Sequence, residues 1–432
     1  LIMKKYSTIF IAGINRSGGS LLARLFDGHS NILSYPIELG FPTLDNFYKV
    51  SSSYGGVPQT IPDYKNGIDD IFELLEIPSN KPKIITQWGK EQSDPIGVRE
   101  NYLEKVFYGN VETNFDFNKF TSLYTSYAKN CNDIASLYDA RHNAYFESWD
   151  SGKHMNNQEH VMMHSSGGLY LSNIETFYEK FHNPIILFPI RNIMGYVAAE
   201  KTRLARRYYG SRRFAWPRLP NMFVKNFKSY DLTGQIYSWL SAMTRVKLLQ
   251  EKHGINENFI VYRHERLTSE PIKTMQELSS QMKINYEKIL LEPTIAGHNW
   301  LGNSQYGPLK GISNNISKNY SKVLNNDEIK LIQSMTTELT DDLYQQTTPV
   351  DLTSISSKKF FDYKYQKDYF KDEAKISLYY SLVNASKRSM TIKTVEKYAV
   401  IAVLFSIYVR IMHIPRMIKI KYFNKTGKQN YT

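Results

Sequence analysis

The sequence predicts an α/β protein built on a parallel sheet, and three observations support this fold class. Short apolar runs alternate with amphipathic helical patterns along most of residues 1–346. The first apolar run ends in a glycine loop that leads directly into a helical pattern, the opening of an α/β unit. The composition, with 42% hydrophobic and 22% charged residues, is that of a folded globular chain. We therefore expect a doubly wound sheet with helices on both faces.

The predicted strands and helices follow one another in regular order. The first strand covers residues 6–13, and a helix at 20–28 follows it, with one apolar face made of Leu21, Leu22, Leu25 and Phe26. Further strands are predicted at 84–86, 161–163, 185–190 and 259–262. Further helices are predicted at 172–181, 194–209, 231–252, 271–282 and 326–345.

Composition divides the chain into three parts. Residues 1–346 form the predicted α/β domain, within which 45–160 is rich in Tyr, Asn and Gly and is interpreted as an insertion that covers the sheet. Residues 347–390 are predicted to form a linker and a helical extension. Residues 391–432 form an apolar and basic C-terminal tail. One large domain is thus expected, followed by an extension and a tail.

The net charge of +13 is concentrated in two segments. Residues 201–230 carry nine Lys or Arg and no carboxylate, and residues 391–432 carry eight against Glu396. Such clustering favours local contact with anions over a surface that coats nucleic acid, so no nucleic-acid partner is expected. Aromatic residues are interleaved with the arginines of 201–230. This pattern fits an acceptor cleft for an anionic or glycan substrate, and it equally fits a solvated basic helix end.

The cysteine content and the tail bear on localisation. The single Cys131 cannot form an intramolecular disulfide, which favours a reducing compartment such as the cytoplasm. Residues 398–409 are uncharged and, as a helix, would span about 18 Å, short of the roughly 30 Å of a bilayer core. Basic residues follow them. Packing against the domain, contact with an anionic membrane surface and a membrane span all stay open.

The loop after the first strand is the strongest chemical signal. Residues 13–20, Gly-Ile-Asn-Arg-Ser-Gly-Gly-Ser, match the spacing Gly-x4-Gly-Lys-Ser/Thr of a nucleotide-binding P-loop, except that Gly19 replaces the lysine. Glycines let successive backbone N–H groups point at phosphate oxygens. Arg16 is placed to reach an oxygen that bridges a phosphate and its transferred group. No apolar strand ends in an Asp of the Mg²⁺-holding kind, so chemistry on Mg²⁺-ATP is disfavoured.

This loop, the helix after it and Glu38 resemble the 5′-phosphosulfate loop of sulfotransferases, whose shared pattern is Gly-x-Pro-Arg/Lys-Ser-Gly-Thr-Thr. This chain has Asn15 for the proline, Gly19 for the first threonine and Ser20 for the second. The resemblance implies transfer of a sulfuryl group from 3′-phosphoadenosine-5′-phosphosulfate (PAPS) to a hydroxyl or amine of a carbohydrate, lipid or small metabolite, with no metal. The loop residues that it assigns to the donor are Gly13, Asn15, Arg16, Ser17, Gly18, Gly19 and Ser20.

Three later segments are similar to the same family in the expected order. Residues 183–192 resemble the strand that ends in the arginine for the donor 3′-phosphate, here Arg191. Residues 259–271 are similar to the Tyr-Glu-Asp-Leu…Pro strand and helix. The segment with Ser304 and Lys310 resembles the closing segment that completes the donor site. The resemblance covers roughly residues 6–346 and implies a P-loop-like fold.

The resemblance offers two candidates for the general base that the acceptor needs. One branch of the family, including the tyrosylprotein type, places a catalytic Glu where this chain has Glu38. Cytosolic sulfotransferases place a catalytic His at a strand end, as His164 follows 161–163 here. Arg16 would stabilise the leaving group. Both candidates for the base stay open at this stage.

One departure from the family keeps other functions in view. The family places a Ser eight residues after the 3′-phosphate arginine, where this chain has Ala199. Arg203, one helical turn further, fits a substitute contact or a solvated cation. A P-loop kinase is one alternative, which Gly19 disfavours. A degenerate sulfotransferase fold that binds polyanions or a membrane is the other, suggested by Ala199 and Gly19.

Overall fold

The computed structural model describes residues 3–35, 117–129, 131, 133–148, 158–166, 177–178, 181–204, 232–254, 258–295, 297–300, 311–313, 319–324, 326–356 and 411. Contacts divide the chain into two compact units. Unit 1 comprises Leu1–Ile190 and Asn256–Ser313, and unit 2 comprises Arg191–Ile255 and Asn314–Thr432. In chain order the helices and strands are β1 (Ser7–Gly13), α1 (Gly19–Phe26), β2 (Ile32–Ser34), α2 (Phe117–Ala128), α3 (Ile134–Glu147), β3 (His160–Ser166), β4 (Ile185–Ile190), α4 (Ile193–Leu204), α5 (Leu232–His253), β5 (Phe259–Arg263), α6 (His264–Ser269), α7 (Pro271–Gln281), β6 (Thr294–Ile295), β7 (His298–Asn299) and α8 (Asn326–Gln345).

Unit 1 contains a five-stranded sheet in the order β2-β3-β1-β4-β5, and every neighbouring pair is parallel. The strands predicted at 185–190 and 259–262 are confirmed, whereas 84–86 lies outside the described residues. The strand predicted at 161–163 is longer, His160–Ser166, because its pairing with β1 continues to Gly13, so His164 lies within the strand and not after its end. β1 is central, with β3 on one side and β4 on the other. All five strands point the same way, so the segments that follow β1, β3 and β5 leave the sheet at the same edge.

Both faces of the sheet are covered. Ile9 and Ile11 of β1 pack in one apolar cluster with Leu22 of α1 and Leu278 of α7. Alternate side chains of a strand point to opposite faces. Phe10 accordingly faces the other way, and its ring lies 5.6 Å from that of Phe177. Phe177 contacts Phe181, which in turn contacts Tyr138 of α3. The predicted fold class, a parallel sheet with helices on both faces, is confirmed.

The first helix ends where the sequence requires it. The helix predicted at 20–28 spans 19–26, because Asp27 is extended and Gly28 has a positive φ of 89°. The buried Asp27 carboxylate then accepts hydrogen bonds from Thr294 Oγ1 at 2.7 Å and from the Gly297 N–H at 2.9 Å. The end of α1 is thereby fixed to the β6–β7 hairpin, which steadies the helix that carries the glycine loop.

The described helices of unit 2 are α4, α5 and α8. The predictions at 231–252 and 326–345 are confirmed as α5 and α8, and the helix predicted at 194–209 is described from 193 to 204. On α5, Gln250 Nε2 donates to Val350 O at 2.8 Å, and Lys247 Nζ donates to Thr353 O at 3.1 Å. These bonds hold the start of the predicted linker against α5. Most of the helix predicted at 172–181, and the tail segment 398–409, lie outside the described residues.

Candidate functional site

The glycine loop is held closed by its own backbone and by Ser17. The hydroxyl of Ser17 donates to Ile14 O at 2.7 Å, and its N–H donates to the same oxygen at 3.2 Å. A Cβ atom at Gly13 would lie 2.6 Å from Ser17 Oγ and 2.9 Å from Pro189 Cγ. Gly13 is therefore required for the tight turn at the end of β1. Ser17 fixes the turn, and its predicted contact with a donor stays a prediction.

The loop delivers the N-terminus of α1 to the edge of the sheet. Gly18 is the N-cap residue and has the left-handed φ of 101°, which favours glycine. No side chain caps this end of the helix, and its first turn contains no acidic residue. Since the first N–H groups of a helix have no partner within it, they present a partial positive charge. This end of α1 suits an anion such as a phosphate or a phosphosulfate.

Arg16 is the cation of the glycine loop, and its backbone conformation is unusual. Its φ is 68°, in the left-handed region that residues other than glycine rarely adopt, at a cost of roughly 1–2 kcal/mol. Outliers of this kind persist where the surrounding structure holds them, and they cluster at functional sites. Arg16 is half-buried in the loop that leads into α1, and Asn15 before it is exposed. The position of Arg16 in this loop thus suits contact with an anion at the N-terminus of α1.

His164 packs directly on the loop at Gly19. A Cβ atom at Gly19 would lie 2.6 Å from His164 Nε2 and 3.0 Å from Cδ2, and 3.2 Å from Ile11 Cγ2. His164 is paired with Ile11 across β1 and β3, which explains why its ring reaches the residue that begins α1. Its side chain is buried. The space that a lysine or threonine at position 19 would need is therefore filled by an imidazole.

A second imidazole, which the sequence analysis did not single out, lies against Gly18. A Cβ atom there would lie 2.2 Å from Nδ1 of His264, the first residue of α6. His264 follows β5, two strands away from β1. The only signal in the sequence was its position just after an apolar strand. His264 thus lies against Gly18 and His164 against Gly19. Two imidazole rings therefore lie beside the N-terminus of α1.

Arg191 belongs to unit 2 and directly follows β4. It is 8% exposed, and its carbonyl accepts a hydrogen bond from Trp239 Nε1 at 2.9 Å. A Cβ atom at Gly195 would lie 3.1 Å from Arg191 Nε, so the side chain runs along the first turn of α4. Ala199 lies on the same helix. The assignment of Arg191 to a 3′-phosphate stays a prediction.

Other predicted site residues lie outside the described part of the chain. These are Glu38, Ser304 and Lys310. Ser20 is half-buried and lies in the first turn of α1. Within the described residues no group of three His, Cys, Asp or Glu side chains could hold a metal ion. In the same residues no helix combines the length and hydrophobicity needed to cross a membrane.

Comparison with known proteins gives distant structural similarities. No protein-family model matches the chain, and no curated protein matches it. Among solved structures, the sulfotransferase domain of the Synechococcus PCC 7002 olefin synthase is 14% identical, with a TM-score of 0.42 over 77% of this chain and 95% of that domain. The sulfotransferase domain from the curacin biosynthetic pathway is 13% identical, with a TM-score of 0.37 over 77% and 98% of the two chains. Sulfotransferase STF9 from Mycobacterium avium is 13% identical, with a TM-score of 0.33 over 79% and 77%.

Proposed function

We propose that this protein is a sulfotransferase that uses PAPS to sulfate a hydroxyl or amine of a carbohydrate, lipid or small metabolite. The observation that carries the proposal is the contact between His164 and Gly19. In a P-loop kinase the residue at this position is a lysine that reaches the β- and γ-phosphates. Here the same space holds an imidazole, which is a base and not a permanent cation. The loop therefore suits transfer to an acceptor that must lose a proton.

The donor fits the described loop by charge and by shape. The N-terminus of α1 carries no acidic residue in its first turn, and Arg16 lies beside it. The left-handed backbone at Gly18 turns the loop into the N-terminus of α1, while side chains of the protein itself occupy the Cβ positions at Gly13 and Gly19. Bound PAPS would supply an activated sulfuryl group and a phosphate as leaving group. The N–H groups of the loop would hold that phosphate, and Arg16 would stabilise the charge that develops on it.

Among the described residues, we assign the role of general base to His164. Its ring touches the first residue of α1, which the loop presents to the donor. As the acceptor oxygen attacks sulfur, the bond from sulfur to the phosphate oxygen breaks, and the acceptor's proton passes to the imidazole. Glu38 remains the other candidate from the sequence. Little covalent work is asked of the protein, because positioning and charge stabilisation carry this class of reaction.

Calorimetric titration with 3′,5′-adenosine bisphosphate, the product nucleotide, tests the donor site. We expect micromolar binding without Mg²⁺ in the wild type and a loss of about 10-fold or more, about 1.4 kcal/mol, in Arg16→Ala. The control is Lys273→Ala, whose amino group lies on an exposed face of α7 near Glu270. That variant should bind like the wild type.

Mg²⁺-ATP is the comparator ligand in the same titration. Preference for Mg²⁺-ATP over the bisphosphate would contradict the proposal and favour a kinase. Binding of the bisphosphate without turnover of PAPS on any class of acceptor would instead favour a degenerate sulfotransferase fold. Turnover that disappears in His164→Ala but survives Glu38→Gln would assign the base to His164.

A further inference from the structure

Arg141 of α3 is a buried cation without a counterion among the described residues. Arg141 is only 5% exposed, and its Nε has no hydrogen-bond partner in the described part of the chain. The contact that the structure gives its guanidinium is the ring of Tyr138, 5.7 Å away. Burying a charge without a partner is strongly destabilising. A cation–π contact offsets only a small part of that cost.

Another buried arginine shows how unit 1 satisfies a guanidinium that has a structural role. Arg266 is 6% exposed, close to the value for Arg141. Its two terminal nitrogens donate to the two carboxylate oxygens of Glu277 at 2.6 and 2.7 Å. This bidentate geometry is the strong form of the pair. Arg141 has no equivalent carboxylate in the described part of the chain.

The described groups on which the Arg141 charge acts most clearly are Tyr35, Tyr124 and His142, which are polar but uncharged near pH 7. Burial raises the pKa of Tyr124 to about 12, although the Arg141 charge acts in the opposite direction. Burial, with the charge of Arg141, lowers the pKa of His142 to about 3, so this imidazole is neutral. The Tyr35 hydroxyl lies 2.8 Å from His142 Nδ1, and both side chains are buried. None of these groups neutralises Arg141 near pH 7.

His142 adds a second unsatisfied polar atom next to Arg141 in the sequence. It is fully buried, and its Nε2 has no hydrogen-bond partner among the described residues. When the Tyr35 hydroxyl donates to Nδ1, Nε2 carries the ring hydrogen and is a donor without an acceptor. The Tyr138 ring lies 5.7 Å from the Arg141 guanidinium and 5.9 Å from the His142 ring, which places these two unmet donors in one cluster. An oxyanion, which only accepts hydrogen bonds, is the group that such donors suit.

The position of Tyr35 relates this cluster to the phosphate loop. Ser34 pairs with Met162, and the Tyr35 N–H donates to Met162 O at 3.2 Å. Tyr35 thus lies beside the part of β3 that leads to His164 two residues later. The chain reaches Glu38, the other candidate base, three residues after Tyr35. Tyr35, one member of the cluster, thus lies at the edge of the sheet where β2 ends.

We propose that Arg141, with Tyr35 and His142 beside it, forms an anion-binding site that takes a carboxylate, sulfate or phosphate group of the acceptor substrate. The acceptor is then an acidic molecule, and Arg141 determines specificity without touching the sulfuryl group. The assignment to the acceptor rests on the proposed sulfotransferase function. The anion site itself does not, so the two can fail separately.

Thermal unfolding measured against added sodium sulfate, at ionic strength held constant with chloride, tests the site. Arg16→Ala serves as the background, because it removes the principal cation of the phosphate loop. A ligand that binds only the folded state raises the melting temperature, so sulfate should still stabilise this background. Adding Arg141→Met should remove the saturable part of the sulfate effect that exceeds the general stabilisation by this excluded anion. It should also raise the melting temperature without sulfate, because an unpaired buried charge is gone.

Arg266→Met in the same background is the matched control. It leaves Glu277 without its partner, so the melting temperature without sulfate should fall, while the increment from sulfate should persist. Arg141→Lys should keep part of the sulfate increment, because lysine keeps the positive charge but cannot donate two parallel hydrogen bonds as a guanidinium does. A saturable increment that survives undiminished in Arg141→Met, or that is missing from the Arg16→Ala background itself, would overturn the anion site.

Steady-state kinetics on matched acceptors separate an acceptor site from a site for a free anion. For an acidic acceptor, Arg141→Met should raise KM about 10-fold or more with little change in kcat, and for its neutral ester it should change neither. Equal effects on both acceptors, despite a sulfate effect that depends on Arg141, would overturn the acceptor assignment and leave an adventitious ion only. If the wild type fails to bind 3′,5′-adenosine bisphosphate while sulfate still stabilises it through Arg141, the donor proposal fails and the anion site stands.

Discussion

At the scale of single residues, Gly19 is explained by the ring that lies against it. Sequence comparison makes this position the point where the chain departs from both a P-loop kinase and the common sulfotransferase pattern. In the structure a side chain there would meet His164 Nε2 at 2.6 Å. Contacts this short force either the ring or the helix start to move. The glycine and the histidine therefore have to be considered as one unit.

The variant Gly19→Ala tests this unit. The new Cβ should displace the imidazole and lower the free energy of unfolding by about 1–3 kcal/mol, as overpacking does. In Gly19→Ala/His164→Ala the ring is gone, and alanine's better helix propensity should recover most of the loss. Urea unfolding of the wild type, both single variants and the double variant gives the coupling energy.

If the effects of the two substitutions on the free energy of unfolding are simply additive, the contact between Gly19 and His164 is contradicted. Turnover provides the second readout, because both variants that lack the ring should stay inactive if His164 is the base. A double variant that recovers stability and not activity would thus separate packing from chemistry. Arg16 and Gly18 belong to the same scale, since both hold left-handed backbone that shapes the loop.

At the scale of elements, the loop's chemistry comes from three parallel strands. β1 ends at the loop, β3 brings His164 to Gly19, and the start of α6 after β5 brings His264 to Gly18. Because parallel strands leave the sheet at one edge, residues far apart in the chain meet there. α3 occupies the opposite face of the sheet from α1, and it holds the buried charges that the loop does not use.

Asp139 of α3 predicts a pH dependence of stability. Burial raises its pKa from 3.8 to about 6, although the Tyr6 N–H, 3.5 Å from Oδ1, acts in the opposite direction. The unfolded chain therefore loses this proton near pH 4 and the folded chain near pH 6. Below about pH 4 the contribution of Asp139 to the free energy of unfolding is fully present. This contribution, up to about 3 kcal/mol, is lost as the pH rises through about 6.

The variant Asp139→Asn should consequently be more stable than the wild type at pH 7.5 and no more stable at pH 4. Chemical denaturation at the two pH values measures the difference. Asp133→Asn on the same helix is the control, because Asp133 is exposed and caps α3 by accepting from Ser136 N. Asparagine caps about as well as aspartate. An equal gain at both pH values in Asp139→Asn would refute the explanation by titration.

At the scale of the whole molecule, the positive charge is carried mostly outside the described site. Residues 201–230 and 391–432 hold 17 of the 54 Lys and Arg residues and only one carboxylate. Both segments lie almost entirely outside the described residues. The described chain reaches Ser356, where Gln250 and Lys247 hold residues 350–353 to α5. A chain that ends at Ser356 therefore keeps the described contacts.

Vesicle sedimentation tests whether the tail contacts lipid. We expect the full chain to bind vesicles that contain phosphatidylserine more strongly than neutral phosphatidylcholine vesicles, since each basic residue near an anionic surface contributes about 1 kcal/mol. Removal of residues 357–432 should abolish this preference. Bound bisphosphate nucleotide would verify that the shortened chain is folded. Unchanged binding after truncation would contradict a role for the tail and direct attention to 201–230.

The sequence predicted the fold better than it predicted the site. Strand β4 and helix α8 were predicted at their observed bounds, because a continuous apolar run and a clear cap are local signals. His164 was found because it follows an apolar run. His264 follows one too, but its contact with Gly18 depends on the order of the strands. Arg141 carried no signal at all, since a missing counterion is visible only in three dimensions.

The sequence by itself determined the parallel α/β class, the glycine loop at the end of β1 and the absence of a lysine at position 19. These are properties of periodicity and spacing, which local chemistry fixes. Only the tertiary structure decided that an imidazole fills the space at Gly19 and that Arg141 is buried without a counterion among the described residues. The reason is physical: packing and desolvation depend on which strands and helices become neighbours, and that order is set by the free energy of the whole fold.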